Sequence, residues 1–166
     1  VYDIQKMEAL IQKEGIQNAR TSLICLENTN NLNAGLIVPL DNIKAVCDLA
    51  KKNSIPVHLD GARVFNAAVA TKTPVKEIVK NVDTVMFALT KGLAAPFGAI
   101  LAGNKDLIEK ARWMKQRMGG GFRQAGFLAA PGIVALNSMI PQLEKDNQNA
   151  QILGKGLQRM NKLKVE

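Results

Sequence analysis

Short apolar runs alternate along this chain with segments in which apolar residues recur every three or four positions. Between Asp3 and Glu14, Ile4, Met7, Leu10 and Ile11 share one face of a predicted helix, which Gly15 ends. Ser22 to Glu27 is a short apolar run with the character of a buried strand, and residues 28–39 form a polar, Asn-rich loop containing Gly35. Asp41 is a candidate cap for a helix to Asn53 that turns Ile43, Val46, Cys47 and Ala50 inward. Ile55 to Asp60 reads as a second strand, and Gly61 opens a helix through Arg63 to about Ala70. A short helix spans Pro74 to Lys80. A third strand, Thr84 to Leu89, runs into Thr90-Lys91-Gly92, and Ala99 to Ala102 is a fourth. Lys105 to Met118 is helical, Gly119-Gly120-Gly121 breaks that helix, and another starts at about Arg123. Pro141 separates it from a last, more polar helix reaching Leu163.

Strands and helices thus alternate at short intervals, and the strands are continuously apolar. That pattern predicts an α/β layered domain with a largely parallel sheet covered on both faces. No internal repeat interrupts it.

Composition narrows the function classes. With 47% hydrophobic and 22% charged residues among 166, the chain has the makeup of a folded domain rather than a disordered one. Its net charge of +8 suits either nucleic acid or an anionic ligand. The densest basic cluster, Lys105, Lys110, Arg112, Lys115, Arg117 and Arg123, lacks interleaved aromatic residues, which speaks against nucleic acid. Cys25 and Cys47 have no CxxC partner, and one histidine cannot complete a zinc site with them. They read as two reduced core thiols of a cytoplasmic protein, with no metal. No apolar run approaches about 20 residues, so no membrane span is expected. Val1-Tyr2-Asp3 has neither a signal peptide nor the look of a natural start, which points to a piece of a longer chain.

In a parallel sheet ligands sit beyond the carboxyl ends of the strands. Those ends are Glu27-Asn28-Thr29-Asn30-Asn31, Asp60-Gly61-Ala62-Arg63 and Thr90-Lys91-Gly92, which would bring carboxylate, guanidinium and amine to one rim. Each also has a plain reading: Asp60 as a helix cap, Arg63 as a solvated first-turn residue, Lys91 as an exposed loop lysine. A lysine at the end of an apolar strand, followed by Gly-Leu-Ala-Ala-Pro-Phe-Gly, is placed for partial desolvation, which disfavours the ammonium and frees the amine as a nucleophile.

Four segments carry a resemblance. His58-Leu59-Asp60-Gly61-Ala62-Arg63-Val64-Phe65-Asn66-Ala67-Ala68 is close to word for word the signature of the low-specificity threonine aldolase family. Residues 90–98, residues 119–126 and Glu27-Asn28-Thr29 resemble that family's lysine segment, glycine-rich turn and a fourth motif, in family order. The resemblance implies the large domain of a fold-type-I pyridoxal-phosphate enzyme, a three-layer α/β sandwich with a mostly parallel sheet. Residues 1–140 would belong to that domain, and 141–166 would be a linker helix toward a smaller one. It further implies a carbon–carbon lyase that cleaves threonine or allo-threonine to glycine and an aldehyde. Lys91 would be the Schiff-base lysine, and Asp60 would hold the pyridine nitrogen protonated. Arg63 would reach the ring hydroxyl, and Thr90 would lie near the phosphate. Arg123, read at a helix start where N–H groups favour anions, would lie near a neighbouring subunit's site in a homo-oligomer, a dimer or tetramer. The glycine turn also has a plain reading, a flexible hinge between two helices.

His58, on the same strand face as Asp60, reads as a residue supporting Asp60 rather than a catalytic one. Asn30 stands where the family commonly has histidine, and an amide cannot act as a general base near neutral pH. Asn147 replaces a second family histidine. A stacking ring and an arginine for the substrate carboxylate have no candidate here. β-Elimination, transamination or racemisation would use Asp60 and Lys91 equally well, and a non-catalytic scaffold is the alternative from another class.

Overall fold

The computed structural model describes residues 1–160, 163 and 164. Four strands, β1 (Ile24–Glu27), β2 (Val57–Asp60), β3 (Thr84–Ala88) and β4 (Ala99–Gly103), form one sheet in the order β1-β2-β3-β4. β1 and β2 pair in parallel, as do β2 and β3, whereas β3 and β4 are antiparallel. The reversal follows from chain length: residues 89–98 are too few for a parallel crossover, which takes about a dozen residues or more. The helices are α1 (Ile4–Leu10), α2 (Leu40–Lys52), α3 (Val64–Thr71), α4 (Val75–Ile78), α5 (Lys105–Arg117), α6 (Gly126–Ser138) and α7 (Gln142–Leu157). The α/β class and the mostly parallel sheet are as predicted.

Several boundaries differ for local reasons. α1 begins on the Asp3 cap, whose carboxylate accepts the Lys6 N–H at 3.1 Å, but it ends at Leu10 rather than near Gly15. The chain leaves the helix because Gln12 and Thr21 bond to each other, Gln12 N–H to Thr21 Oγ1 at 3.0 Å and Thr21 N–H to the Gln12 carbonyl at 3.0 Å. Asp41 does not cap α2. The helix starts one residue before it, after Pro39, and the Asp41 carboxylate accepts the adjacent Asn42 N–H instead.

The strands bury one face, not both equally. Ile24, Leu26, Val57 and Leu59 are buried, and α2, α3 and α4 pack on them through Ile43, Val46, Ala50, Val64, Ala67 and Ile78. The intervening residues of these strands point to the opposite face. There Cys25 is exposed, which corrects its reading as a core thiol; Cys47 on α2 is buried as expected. On that second face α5 approaches through Leu107, beyond the paired Thr84 and Gly103. His58, Asp60 and Met86 remain half-buried there.

A second cluster sits beyond the end of β3. Leu89, Leu93 and Ala95 pack with Ala135 of α6 and Leu143 of α7, and Phe65, Val69 and Phe87 flank them. No single helix among the described residues is long and apolar enough to cross a membrane.

Candidate active site

β1, β2 and β3 run the same way, so their carboxyl ends share one rim. Glu27 and Asp60 are Cα partners across β1 and β2, and Met86 is the partner of Asp60 on β3. Asp60 is the last residue of β2, and its Oδ1 accepts the Ala62 N–H at 3.0 Å. That turn holds the carboxylate at the strand end. It does not cap α3, whose N-cap is Arg63. Asp60 Oδ2 has no hydrogen-bond or ion-pair partner among the described residues. The chain can turn here because of Gly61, whose N–H donates to the Met86 carbonyl at 2.7 Å. A side chain at 61 would stand 2.9 Å from that same oxygen.

The lysine lies on a closed loop. Leu89 N–H donates to the Gly98 carbonyl at 3.0 Å, Ala95 N–H to the Leu89 carbonyl at 2.9 Å, and Ala94 N–H to the Lys91 carbonyl at 2.9 Å. Leu89 and Leu93 are buried while Thr90 and Lys91 between them are exposed. The expectation of a desolvated amine is therefore corrected: Lys91 is exposed in this structure, beside the buried Leu89 and Leu93. It has no ion pair among the described residues, and neither does the half-buried Arg63. The Asp60 and Lys91 segments meet through α3. A Cβ at Gly92 would lie 3.3 Å from Asn66 Oδ1, so Asn66, six residues beyond Asp60, rests against the residue that follows Lys91.

Two further predicted positions move. His58 does not bond to Asp60. Its Nδ1 lies 2.8 Å from Oγ1 of Thr84, its register partner on β3, because cross-strand neighbours are closer than residues two apart along one strand. Arg123 is not at a helix start: it is exposed, and α6 begins at Gly126 with Ala125 as its N-cap. The glycine-rich turn does reach the lysine loop, since the Phe122 ring lies 6.0 Å from the Phe97 ring. Asn30 is engaged within its own loop, where its Oδ1 accepts the Asn33 N–H at 3.0 Å and the Asn33 side-chain amide at 2.8 Å.

Asn28 and Asn66 lie inside the quoted motifs, but the sequence assigns neither a role of its own. Asn28 is buried, accepts the Val38 N–H at 3.1 Å and pins the loop that follows β1. Asn66 had a signal, being a lone amide in the otherwise apolar stretch Val64 to Ala70.

The rim thus offers an uncommitted carboxylate oxygen, a primary amine and a guanidinium. Such a set suits a ring with a basic nitrogen, an aldehyde and an acidic hydroxyl, so the residues present fit pyridoxal phosphate. Among the described residues no group of three or more His, Cys, Asp or Glu side chains is placed to hold a metal ion.

All 166 residues, 1–166, match the family described as beta-eliminating lyase. The chain is 43% identical over 165 residues to a probable low-specificity L-threonine aldolase 2 of Arabidopsis thaliana, covering 98% of itself and 46% of that protein. It is 41% identical over 148 residues to the low specificity L-threonine aldolase of Escherichia coli K12, covering 89% of itself and 43% of that protein. The chain thus spans just under half the length of these relatives. Its fold superimposes on a putative L-allo-threonine aldolase of Listeria monocytogenes EGD-E with a TM-score of 0.83 at 20% identity, over 97% of this chain and 43% of the other. The threonine aldolase of Leishmania major gives 0.80 at 18% identity, over 95% and 47%.

Proposed function

Because the chain belongs to the beta-eliminating lyase family, we propose that the protein is a pyridoxal-phosphate-dependent lyase that cleaves threonine or allo-threonine to glycine and an aldehyde. The observation that carries this reading is the rim itself: Asp60 ends β2 with one free carboxylate oxygen, and Lys91 follows the adjacent parallel strand β3. The names of the relatives supply the substrate class.

Bound pyridoxal phosphate supplies an electron sink for the pair released when a bond to the substrate α-carbon breaks. Asp60 Oδ2 would keep a proton on the ring nitrogen, while Oδ1 stays on the Ala62 N–H and fixes the carboxylate. Lys91 Nζ would hold the cofactor's aldehyde carbon and be displaced by the substrate amine. Arg63 would face the ring hydroxyl, and Thr90 the phosphate. Arg123 would serve a neighbouring copy in a dimer or tetramer, which its exposure and the exposed Phe127, Ile133 and Val134 on α6 support. Asn30, tied to Asn33, would not take the β-hydroxyl proton, so that proton would pass to solvent or to another group.

The experiment is product analysis with the whole protein, pyridoxal phosphate and threonine. Acetaldehyde and glycine in equal amounts support the reading. A 2-oxo acid with ammonia would assign β-elimination instead, the second reading that the family's description favours.

A further inference from the structure

Lys91 is exposed, yet its loop is anchored by the buried Leu89 and Leu93, and at Gly92 the closest neighbour comes from the last helix. Leu143, in the first turn of α7, is fully buried. A Cβ placed on Gly92 would stand 2.7 Å from Leu143 Cδ2, and 3.3 Å and 3.4 Å from Asn66 Oδ1 and Nδ2. Real carbon–carbon contacts do not come that close, so the Leu143 methyl, with the Asn66 amide beside it, occupies the space a side chain at 92 would need. The φ of Gly92 is not in the left-handed region, which leaves lack of space as the reason for glycine here. The rest of the loop is held in the same way. Leu93 and Ala95 share the cluster with Leu143, and Leu89 Cδ1 fills the space beside Gly132 of α6, where a Cβ would come within 3.1 Å.

We propose that Leu143, with Asn66, is a positioning residue for Lys91: the packing of α7 against Gly92 sets where the Lys91 amine stands relative to Asp60. The proposal rests on the reading of Lys91 as the cofactor-holding lysine. Neither residue touches the reacting atoms. Their effect passes through one backbone position, and the same helix α3 that carries Asn66 follows directly from the Asp60 turn. α7 is therefore part of the support of the site as well as a connection onward. Misplacing a reacting group by about 1 Å costs on the order of a hundredfold in rate, and Leu143 is fully buried, so a methyl added at 92 would press on the backbone beside Lys91 as well as on the Leu143 side chain.

The test is a size exchange in the whole protein loaded with pyridoxal phosphate. Borohydride reduction followed by peptide mass analysis reads the fraction of Lys91 that carries the cofactor, and cofactor retention is read by dialysis. Gly92→Ala adds a methyl against Leu143 Cδ2. Leu143→Val removes the Cδ atoms while keeping a branched apolar side chain. Gly92→Ala is expected to lower Lys91 labelling and cofactor retention at least about tenfold, with the fold intact by circular dichroism. In the double variant Gly92→Ala/Leu143→Val both readouts are expected to return to within about threefold of the unsubstituted protein. A purely structural role would move the melting temperature but would not give this reciprocal rescue at Lys91. Full labelling in Gly92→Ala, or a double variant no better than Gly92→Ala, overturns the proposal while leaving the reading of Lys91 standing. Absence of label on Lys91 in the unsubstituted protein overturns that reading, and the proposal with it.

Discussion

Glu27 and Asp60 stand side by side at the rim of the sheet, Cα partners across two parallel strands, each with one carboxylate oxygen held by a main-chain N–H. Asn31 N–H holds Glu27 Oε1 at 3.2 Å, and Ala62 N–H holds Asp60 Oδ1 at 3.0 Å. Each carboxylate is thereby oriented by its own following turn, and neither is neutralised by an ion pair among the described residues. Under the proposed function, a protonated pyridine nitrogen is the charge that Asp60 Oδ2 would meet.

Asp60→Asn separates charge from geometry. The amide oxygen still accepts the Ala62 N–H, so the fold and bound cofactor are expected to survive, while threonine cleavage falls by about a hundredfold or more. The measurement is acetaldehyde release by the whole protein beside its cofactor absorbance. Turnover near that of the unsubstituted protein would reduce Asp60 to a turn residue.

Lys91→Ala is expected to remove the borohydride-fixed cofactor entirely without lowering the melting temperature of the cofactor-free protein, because the side chain is exposed and has no ion pair among the described residues. Label transferred in equal amount to another lysine would show that Lys91 had been assigned wrongly.

Much of this was legible in the chain. The alternation of apolar runs with helical periodicity located every strand, and the rule that ligands gather at the carboxyl ends of parallel strands singled out Asp60 and Lys91. What the pattern hid was two-sidedness. In a four-residue strand such as β1, Ile24 and Leu26 read as apolar together with Cys25, and only packing shows that Cys25 faces away from the helices. The surroundings of Lys91 were hidden for a related reason. Its exposure depends on Leu89 and Leu93 being drawn into a cluster with α6 and α7, whose partners lie more than 40 residues away in sequence. The start of α6 was misread at Arg123 because three successive glycines mark a break without fixing where the next helix resumes.

Two glycines make a matched pair for stability. Gly61→Ala would place a methyl 2.9 Å from the Met86 carbonyl and 3.1 Å from Val64 Cβ, atoms of the sheet and of the first turn of α3 that cannot swing aside. A loss of about 1–3 kcal/mol is expected, as for other overpacked sites. Gly156→Ala, at the next-to-last residue of α7, meets nothing within 4 Å and should gain up to about 0.5 kcal/mol from helix propensity. Urea midpoints of the two variants check both signs at once, and equal midpoints would contradict the packing around Gly61.

Cys47 ties stability to alkaline pH. Burial, followed by the neighbouring Asp48 and Asp83 carboxylates, pushes its thiol up from 9.0 to about 11. The folded state then holds this proton more tightly than the unfolded chain does. The contribution is fully present below pH 9 and is lost as pH rises from 9 toward 11. Cys47→Ala should flatten that part of the stability curve, read as melting temperature against pH. A thiol reagent at pH 8 should modify Cys25 before Cys47, since the first is exposed and the second buried.

The 166 residues by themselves are expected not to cleave threonine at a measurable rate. The relatives they match are more than twice as long, and the described residues leave the half-buried Asp60 and Met86 on a sheet face that α5 covers at one end through Leu107. A cofactor ring placed there would touch protein mainly on one side, and weak holding of the reacting bond costs large factors in rate. β1 and β4 are also both edge strands of the described sheet, each with an unpaired row of main-chain groups. On β4, Ile100 and Leu101 are 40% and 41% exposed, which adds an apolar strip to an open edge. Such an edge recruits further strands. Self-association of the isolated 166 residues is therefore expected alongside weak cofactor binding. Light scattering on the purified piece, with pyridoxal phosphate titration and an acetaldehyde assay on the same sample, checks all three. A monodisperse monomer that turns threonine over as fast as the whole protein would mean that the rim of β1, β2 and β3 is a sufficient active site.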